Sequence, residues 1–442
     1  MSSIQDAADL KRRKEEFVTG HSGSSIADLR DVTLAGILCN AAWIFIVSRN
    51  PWLKHSFWLD FSLNWLSLLF SVTIFGEQPL LTCMIALSAL GVLTNAPKGM
   101  PKQKEEKRND GQSATLTVYR STMLILTSFA ILAVDFPIFP RKYAKVETWG
   151  ISLMDLGVGS FVFSNGIISY RRFKKSSQLS RLARIRESLR STLILLVLGL
   201  IRLFSVKATN YQEHVTEYGV HWNFFFTLSL LPLVSIAFDF FSMKLRFALG
   251  LIGALVYEYY LMSSPTFLDY LLNAERTDFI SANREGIFSF VGYCIIYLCG
   301  QQVGSIIFSN SDTMQTLWRL LRYTILSFLI SYFLINNHPL QISRRFASLG
   351  YSSVVTTFNL LILTCYHIIV ECFAGGAFVS DTYVAVNKNG MAMFLVSNVS
   401  TGMINFTFNT IDSSPSKSMT ILIVYALFLA IFALKVPFKL KL

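Results

Sequence analysis

The sequence predicts an all-α fold, namely a polytopic membrane protein with about thirteen transmembrane helices around a polar cavity. Apolar residues make up 52% of the 442-residue chain and charged residues only 15%. A soluble domain of this length needs a far more polar surface. Apolar runs of roughly 17–25 residues recur between charged or turn-forming segments, as is typical of membrane-spanning helices.

The apolar runs define thirteen predicted spans and two parts of the chain. A polar N-terminal segment, 1–31, precedes one multi-span domain, 32–442, and no cleavable signal is expected because no apolar stretch precedes the first span. All six cysteines fall inside predicted spans, so neither disulfides nor a zinc site is expected. The spans lie near 32–48, 57–75, 79–95, 119–136, 150–170, 191–206, 222–240, 246–262, 286–308, 320–336, 350–373, 391–409 and 418–435.

The net charge of +12 follows the alternation of loops, which indicates membrane topology and not nucleic-acid binding. The linker 171–190 holds eight basic residues and one acid, Glu187, so it is expected in the cytosol. The linker 96–118 falls on the same side by alternation, as does the C-terminus. The N-terminus and the loops 137–149, 207–221, 263–285, 337–349 and 410–417 then face away from the cytosol.

Asp135 marks the most informative segment, 135–150, at the end of a predicted membrane helix. An ionisable group at that depth is costly and is usually retained for function or for pairing with another charge. Pro137 and Pro140 end the helix and stiffen the exit. Two readings are open: Asp135 acts in catalysis or substrate binding, or it pairs with Lys142 or Lys145 to hold the helix end.

The other non-cytosolic loops also carry charged groups that could form a site. One loop has the side-chain types of a metal site, at Glu213, His214, Glu217 and His221. Because no His-Glu-x-x-His pattern exists, a hydrogen-bonded lid over a polar head group is favoured over a metal site. In the remaining loops, Arg284, Arg344 and Arg345 are either interfacial anchors or partners for a phosphate group.

Polar residues inside the predicted spans indicate a cavity among the helices. Asp155 lies one to two turns into the membrane and needs a partner or water. Gly157 and Gly159, nearby, allow close helix packing or leave a slot for an acyl chain. The other polar residues within predicted spans include Asp60, Asn64, Asn165, Glu258, Asn359, His367 and Glu371.

Several of these segments together resemble the glycosylphosphatidylinositol (GPI)-anchor inositol acyltransferases, the PIG-W family, and its fungal members most closely. The resemblance covers nearly the whole chain. It rests on the runs 135–150, 152–161, 213–225, 281–288 and 411–417 and on Glu16-Phe17-Val18-Thr19-Gly20.

The resemblance implies an endoplasmic-reticulum enzyme that moves a fatty acyl group, usually palmitoyl, from coenzyme A to the inositol 2-hydroxyl of glucosaminyl-phosphatidylinositol. The site faces the lumen, acyl-CoA is a co-substrate and no further cofactor is expected. With the topology derived from loop charges, the N-terminus would be luminal and the C-terminus cytosolic. The polar and acyl-binding cavity is expected among the membrane spans.

Direct transfer requires a base for the acceptor hydroxyl. Asp135 is the predicted base, with Lys145 as its partner; the reverse assignment, a neutral Lys145 as base, stays open. A lipid transporter and a non-catalytic subunit of a membrane complex are the rival functions. The expected substrate-binding residues are Arg141, Lys142, Glu147, Trp149, Asp155, Glu213, His214, His221, Asn223, Asn283, Arg284, Arg344 and Arg345.

Overall fold

A computed structural model of the chain describes residues 12–78, 113–176, 180–209, 215–238, 240–309, 311–337 and 340–436. Within these ranges all regular structure is helical. The main helices are α1 (Ile26–Arg49), α2 (57–71, with a π-helical middle at Phe61–Leu66), α3 (Ala114–Ala133), α4 (Leu153–Ser176), α5 (Arg181–Thr209), α6 (Phe224–Ala237), α7 (Met243–Ser263), α8 (Pro265–Asn273), α9 (Arg284–Ile307), α10 (Thr313–Asn337), α11 (Leu349–Tyr366, continued as a π-helix over His367–Phe373), α12 (Asp381–Lys388), α13 (Gly390–Thr407) and α14 (Pro415–Lys435).

Eight described helices are long and apolar enough to cross a membrane, so the polytopic all-α fold is confirmed. The predicted spans near 57–75, 150–170, 222–240 and 391–409 also contain helices, but these are shorter or less apolar than the eight. The predicted span 79–95 lies outside the described residues. The number thirteen therefore stays a prediction.

Local capping explains where the first membrane helix begins. The helix α1 starts at Ile26, earlier than the predicted 32, because Ser25 forms a capping box with Asp28. The Ser25 hydroxyl accepts from the Asp28 amide, and the Asp28 carboxylate accepts from Ser25. These side chains accept hydrogen bonds from backbone amides that have no partner within the first helical turn, so the helix can begin in a polar stretch.

Glycines bring the helices α4 and α9 into direct contact at the centre of the fold. A Cβ on Gly166 would collide with the Tyr297 carbonyl, and one on Gly300 with the Phe163 carbonyl. Only glycine allows the two backbones to approach this closely. This tight pair fixes α4, whose first turn carries Asp155, relative to α9.

Contacts between loops sort the connections onto two faces. On one face, which we call the site face, Gly150 N–H donates to Ile342 O (2.7 Å) and Val220 N–H to Ala282 O (2.9 Å). On the opposite face, His55 pairs with Asp381 (2.7 Å). These contacts agree with the loop grouping derived from charge; which face is cytosolic stays a prediction.

The N-terminal segment 12–25 packs on the site face. Arg13 pairs with Asp412 (2.7 Å), and the Arg141 guanidinium lies 4.1 Å from the Phe17 ring centre. The Ser24 amide donates to Ile151 O (2.9 Å). The segment therefore covers the same loops that the sequence singled out.

Candidate active site

A cavity of about 650 Å³ opens among the helices below the site-face loops. Charged and polar side chains surround one end, while the body is mostly aliphatic and aromatic. Such a shape suits an amphiphile whose polar part stays at the charged end. Polar groups at that end are Asp135, Lys145, Glu147, Arg202, Glu217, Asn223 and Arg344, and the apolar body includes Met123, Leu126, Ala130, Leu156, Val158, Phe161, Leu198, Ile362 and Phe394.

Asp135 lies just beyond the end of α3 and lines the cavity. Its Oδ2 accepts a hydrogen bond from Asn405 Nδ2 at 2.7 Å. Burial raises the pKa of this carboxyl group to about 6, although Asn405 and the cations Lys14, Arg141 and Lys145 oppose the rise. An acid with that pKa exchanges protons close to neutral pH.

Lys145 is paired, but not with Asp135. Its Nζ donates to Glu217 Oε2 at 2.9 Å. Lys142 Nζ lies 3.1 Å from Asp28 Oδ1 and 3.6 Å from Glu77 Oε2. The alternative reading, in which Asp135 is held by Lys142 or Lys145, is therefore wrong: each lysine has a nearer carboxylate. Lys145 acts on Asp135 only through space.

The Lys145–Glu217 pair continues into a buried network through Arg344. Arg344 Nη1 lies 3.3 Å from Glu217 Oε1, and its Nε donates to Asp155 Oδ1 at 2.6 Å. Lys145 and Arg344 lower the pKa of the Glu217 carboxyl to about 2, so Glu217 is charged throughout the physiological range. Glu217 was missing from the predicted site list, although it stands in the 213–221 group.

Asp155 is fully buried, and its second carboxylate oxygen also accepts hydrogen bonds. Its Oδ2 accepts from the amides of Val146 and Ser152 (both 3.1 Å) and from Ser152 Oγ (2.7 Å). The carboxylate thus joins the 146–152 loop to Arg344. The predicted partner for this intramembrane acid exists, and Asp155 is placed to hold the loop that carries Lys145.

Arg141 and Lys142, which were expected to bind substrate, instead bind groups of the protein around their own loop. Arg141 donates to the carbonyls of Val134, Phe136 and Phe139 within 3.1 Å. These carbonyls follow α3, so the guanidinium caps the helix exit. Neither cation lines the cavity. The structure favours a structural role for both, because Arg141 binds backbone carbonyls of its own loop and Lys142 is paired with Asp28 and Glu77.

The other predicted residues of the site-face loops divide by their contacts. Glu147 lines the cavity and accepts from Thr216 Oγ1 (2.9 Å). Asn223 also lines it, and caps α6 through the Phe225 amide. Trp149 packs on Phe346 (ring centres 5.6 Å apart), away from the cavity.

His221, Arg284 and Arg345 do not line the cavity. The His221 amide donates to Asn283 Oδ1 (2.8 Å). Arg284 donates to the carbonyls of Leu271 and Ala274, which satisfies the end of α8. Arg345 forms an ion pair with Glu285 (3.0 Å), and Glu285 also forms an ion pair with Arg276. Of the three predicted phosphate-binding arginines, only Arg344 reaches the cavity.

Glu213 and His214 lie outside the described residues. Across the described part of the chain no cluster of three metal-ligating side chains occurs.

Gly157 and Gly159 have different surroundings. A Cβ on Gly157 would meet only Thr127 Oγ1 at 3.7 Å, and this glycine lines the cavity. A Cβ on Gly159 would lie 2.6 Å from Val355. Gly157 therefore leaves space in the cavity wall, whereas Gly159 allows α4 to pack on α11.

These features define a polytopic helical membrane protein with an ionisable site at the mouth of an apolar cavity. A family model described as GWT1 matches residues 10–436. The GPI-anchored wall transfer protein 1 of Kluyveromyces lactis is 70% identical over 437 residues, which are 98% of each chain. The protein of that name from Saccharomyces cerevisiae is 42% identical over 96% of each chain, and that from Candida albicans 37% identical over 97% of this chain and 98% of its own. The chain belongs to the GWT1 family, which confirms the resemblance read from the sequence motifs.

Proposed function

We propose that this chain transfers a fatty acyl group, palmitoyl in the first instance, from acyl-CoA to the inositol 2-hydroxyl of glucosaminyl-phosphatidylinositol. The observation that supports the proposal is Asp135, an acid with a pKa of about 6 at the mouth of an apolar cavity. The name of the relatives refers to GPI-anchored wall transfer, which supports GPI-anchor biosynthesis as the pathway. The proposed location is the endoplasmic-reticulum membrane.

The proposed chemistry is a direct transfer. The Asp135 carboxylate takes the proton of the inositol hydroxyl while that oxygen attacks the thioester carbonyl carbon. The carbon–sulfur bond then breaks, and the thiolate of coenzyme A receives the proton from Asp135. The products are acyl-inositol lipid and free coenzyme A, and no further cofactor takes part.

Lys145 fits the role of a fixed positive charge better than that of a base. The ammonium group lies 2.9 Å from the Glu217 carboxylate, and this ion pair requires the charged form. At the cavity mouth the charge can stabilise the oxyanion that develops on the thioester carbonyl. Arg202, which lines the same end of the cavity, is the proposed partner of a substrate phosphate, because Arg344 is already paired with Asp155 and Glu217.

The test is acyl transfer by purified protein in detergent, given palmitoyl-CoA and glucosaminyl-phosphatidylinositol, with the Asp135→Asn variant in parallel. We expect acylated lipid from the unmodified protein alone, while the variant still binds acyl-CoA. Product from both proteins would remove Asp135 from the chemistry. Folded protein that yields no product and shows no saturable acyl-CoA binding would favour the lipid-transporter reading.

A further inference from the structure

Asn405 is the only described side chain that hydrogen-bonds to the Asp135 carboxyl group. It lies in the last turn of α13, and its Nδ2 donates to Asp135 Oδ2 at 2.7 Å. Asn405 also belongs to the Asn-Phe-Thr sequon 405–407, whose modification would use the same nitrogen. In this fold that nitrogen is turned inward, toward the cavity mouth.

The orientation of the Asn405 amide is determined by a second contact. Thr410 Oγ1 donates to Asn405 Oδ1 at 3.2 Å. A hydroxyl donor on the oxygen side places the amide NH₂ on the other side, facing Asp135. The main-chain oxygen of Asn405 also accepts from Lys14 Nζ (3.4 Å), so the N-terminal segment closes over this turn.

The two oxygens of Asp135 therefore differ. Oδ2 is held by Asn405, whereas Oδ1 accepts no hydrogen bond from the described residues, and Asp135 lines the cavity. We propose that Asn405, oriented by Thr410, is a positioning residue that clamps one carboxylate oxygen of Asp135 and leaves the other to receive the substrate proton. This inference rests on the proposed function, in which Asp135 is the base.

Charge around Asp135 determines the direction of the expected effect. Lys14 on the N-terminal segment and Arg141 and Lys145 on the 134–152 loop act on the carboxylate through space, and Asn405 on α13 is in direct contact. Each of the four lowers the Asp135 pKa against the effect of burial. Loss of the Asn405 bond must therefore raise the pKa and shift proton uptake to higher pH.

The experiment compares Asn405→Ala, Asn405→Asp and Thr410→Val with the unmodified protein. Asn409→Ala is the matched control, because Asn409 makes the same kind of bond, to Asp412 Oδ2 at 2.8 Å, at an exposed position. The first readout needs no substrate. It is the pH dependence of dicyclohexylcarbodiimide labelling of Asp135, a reaction of the protonated carboxyl group, quantified by mass spectrometry of the peptide.

We expect the labelling midpoint to move upward by about half a unit in Thr410→Val, about one unit in Asn405→Ala and about two units in Asn405→Asp, where a second carboxylate is added. Asn409→Ala should match the unmodified protein. Unchanged midpoints in folded Asn405 variants would overturn the proposal, as would an equal shift in Asn409→Ala.

The second readout is the pH profile of acyl transfer. In Asn405→Ala the acid limb of kcat should move by the same amount as the labelling midpoint, with the KM for acyl-CoA unchanged. A kcat loss that is equal at every pH would overturn the positioning role. Shifted labelling in a protein that transfers no acyl group would instead refute the proposed function while supporting the Asn405 contact.

Discussion

Asp135 and Asp155 lie at the two ends of one loop, but they differ in burial and in their hydrogen-bond partners. Asp155 is fully buried and receives Arg344, two backbone amides and a hydroxyl. Asp135 has one neutral donor, Asn405, and borders the cavity. A fully buried acid that does not line the cavity can hold a structure but is not reached by a substrate hydroxyl. The comparison separates the residue that organises the loop from the residue that is free to react.

Asp155→Asn should give the largest change in stability. The substitution removes the carboxylate that faces the buried Arg344 guanidinium, and breaking such a pair costs about 3 kcal/mol. Thermal unfolding in detergent measures the loss. Asp135→Asn, the matched variant, should unfold at or above the temperature of the unmodified protein, because burial already disfavours the charged form of this acid. The reverse order of the two variants would contradict the comparison.

The pH dependence of transfer should report Asp135 directly. The base must be deprotonated, and burial raises its pKa to about 6. We therefore expect kcat to fall about tenfold for each pH unit below 6 and to level off above pH 7. Glu217, with a pKa of about 2, contributes nothing to this limb. A limb near pH 4 would indicate an ordinary exposed carboxyl group.

Glu217→Gln should move the acid limb of the pH profile of kcat to lower pH. Without the Glu217 carboxylate, the positive charge of Lys145, which already lowers the Asp135 pKa through space, is no longer neutralised at 2.9 Å. An unneutralised cation favours the carboxylate form of Asp135, so the acid limb should move about one unit toward lower pH. Glu217→Asp, which keeps the charge, is the control and should give a smaller shift. An upward shift in Glu217→Gln would show that Lys145 acts elsewhere.

The sequence predicted the helical membrane fold and the loops of the site because both depend on local patterns. Apolar runs define membrane helices, and charge alternation sorts their connections. The pairing of charges was not predictable: Lys145 meets Glu217 and not Asp135, from a loop 72 positions away.

In the sequence, Asn405 is only one amide within the predicted span 391–409. A single asparagine in such a run does not reveal which helix it faces. Its contact with Asp135 spans 270 positions of sequence, so it depends on how α13 packs against the end of α3. The signal available in the sequence was the cost of an amide in hydrocarbon, which requires a partner somewhere in the fold.

The smallest expected effects come from the two glycines of α4, of which one lines the cavity and the other packs against a helix, as one acid borders the cavity and the other is buried. Gly157→Val should extend into the cavity, since only Thr127 lies near its Cβ, and should shift the preference from palmitoyl-CoA toward shorter acyl chains by about fourfold for each methylene displaced. Gly159→Ala should instead meet Val355 at 2.6 Å and cost about 1–3 kcal/mol of stability with an unchanged chain-length profile. Competition between acyl-CoAs of graded length measures the first effect, and thermal unfolding measures the second. If Gly159→Ala changed the chain-length profile and Gly157→Val did not, the acyl chain would lie on the α11 side of α4.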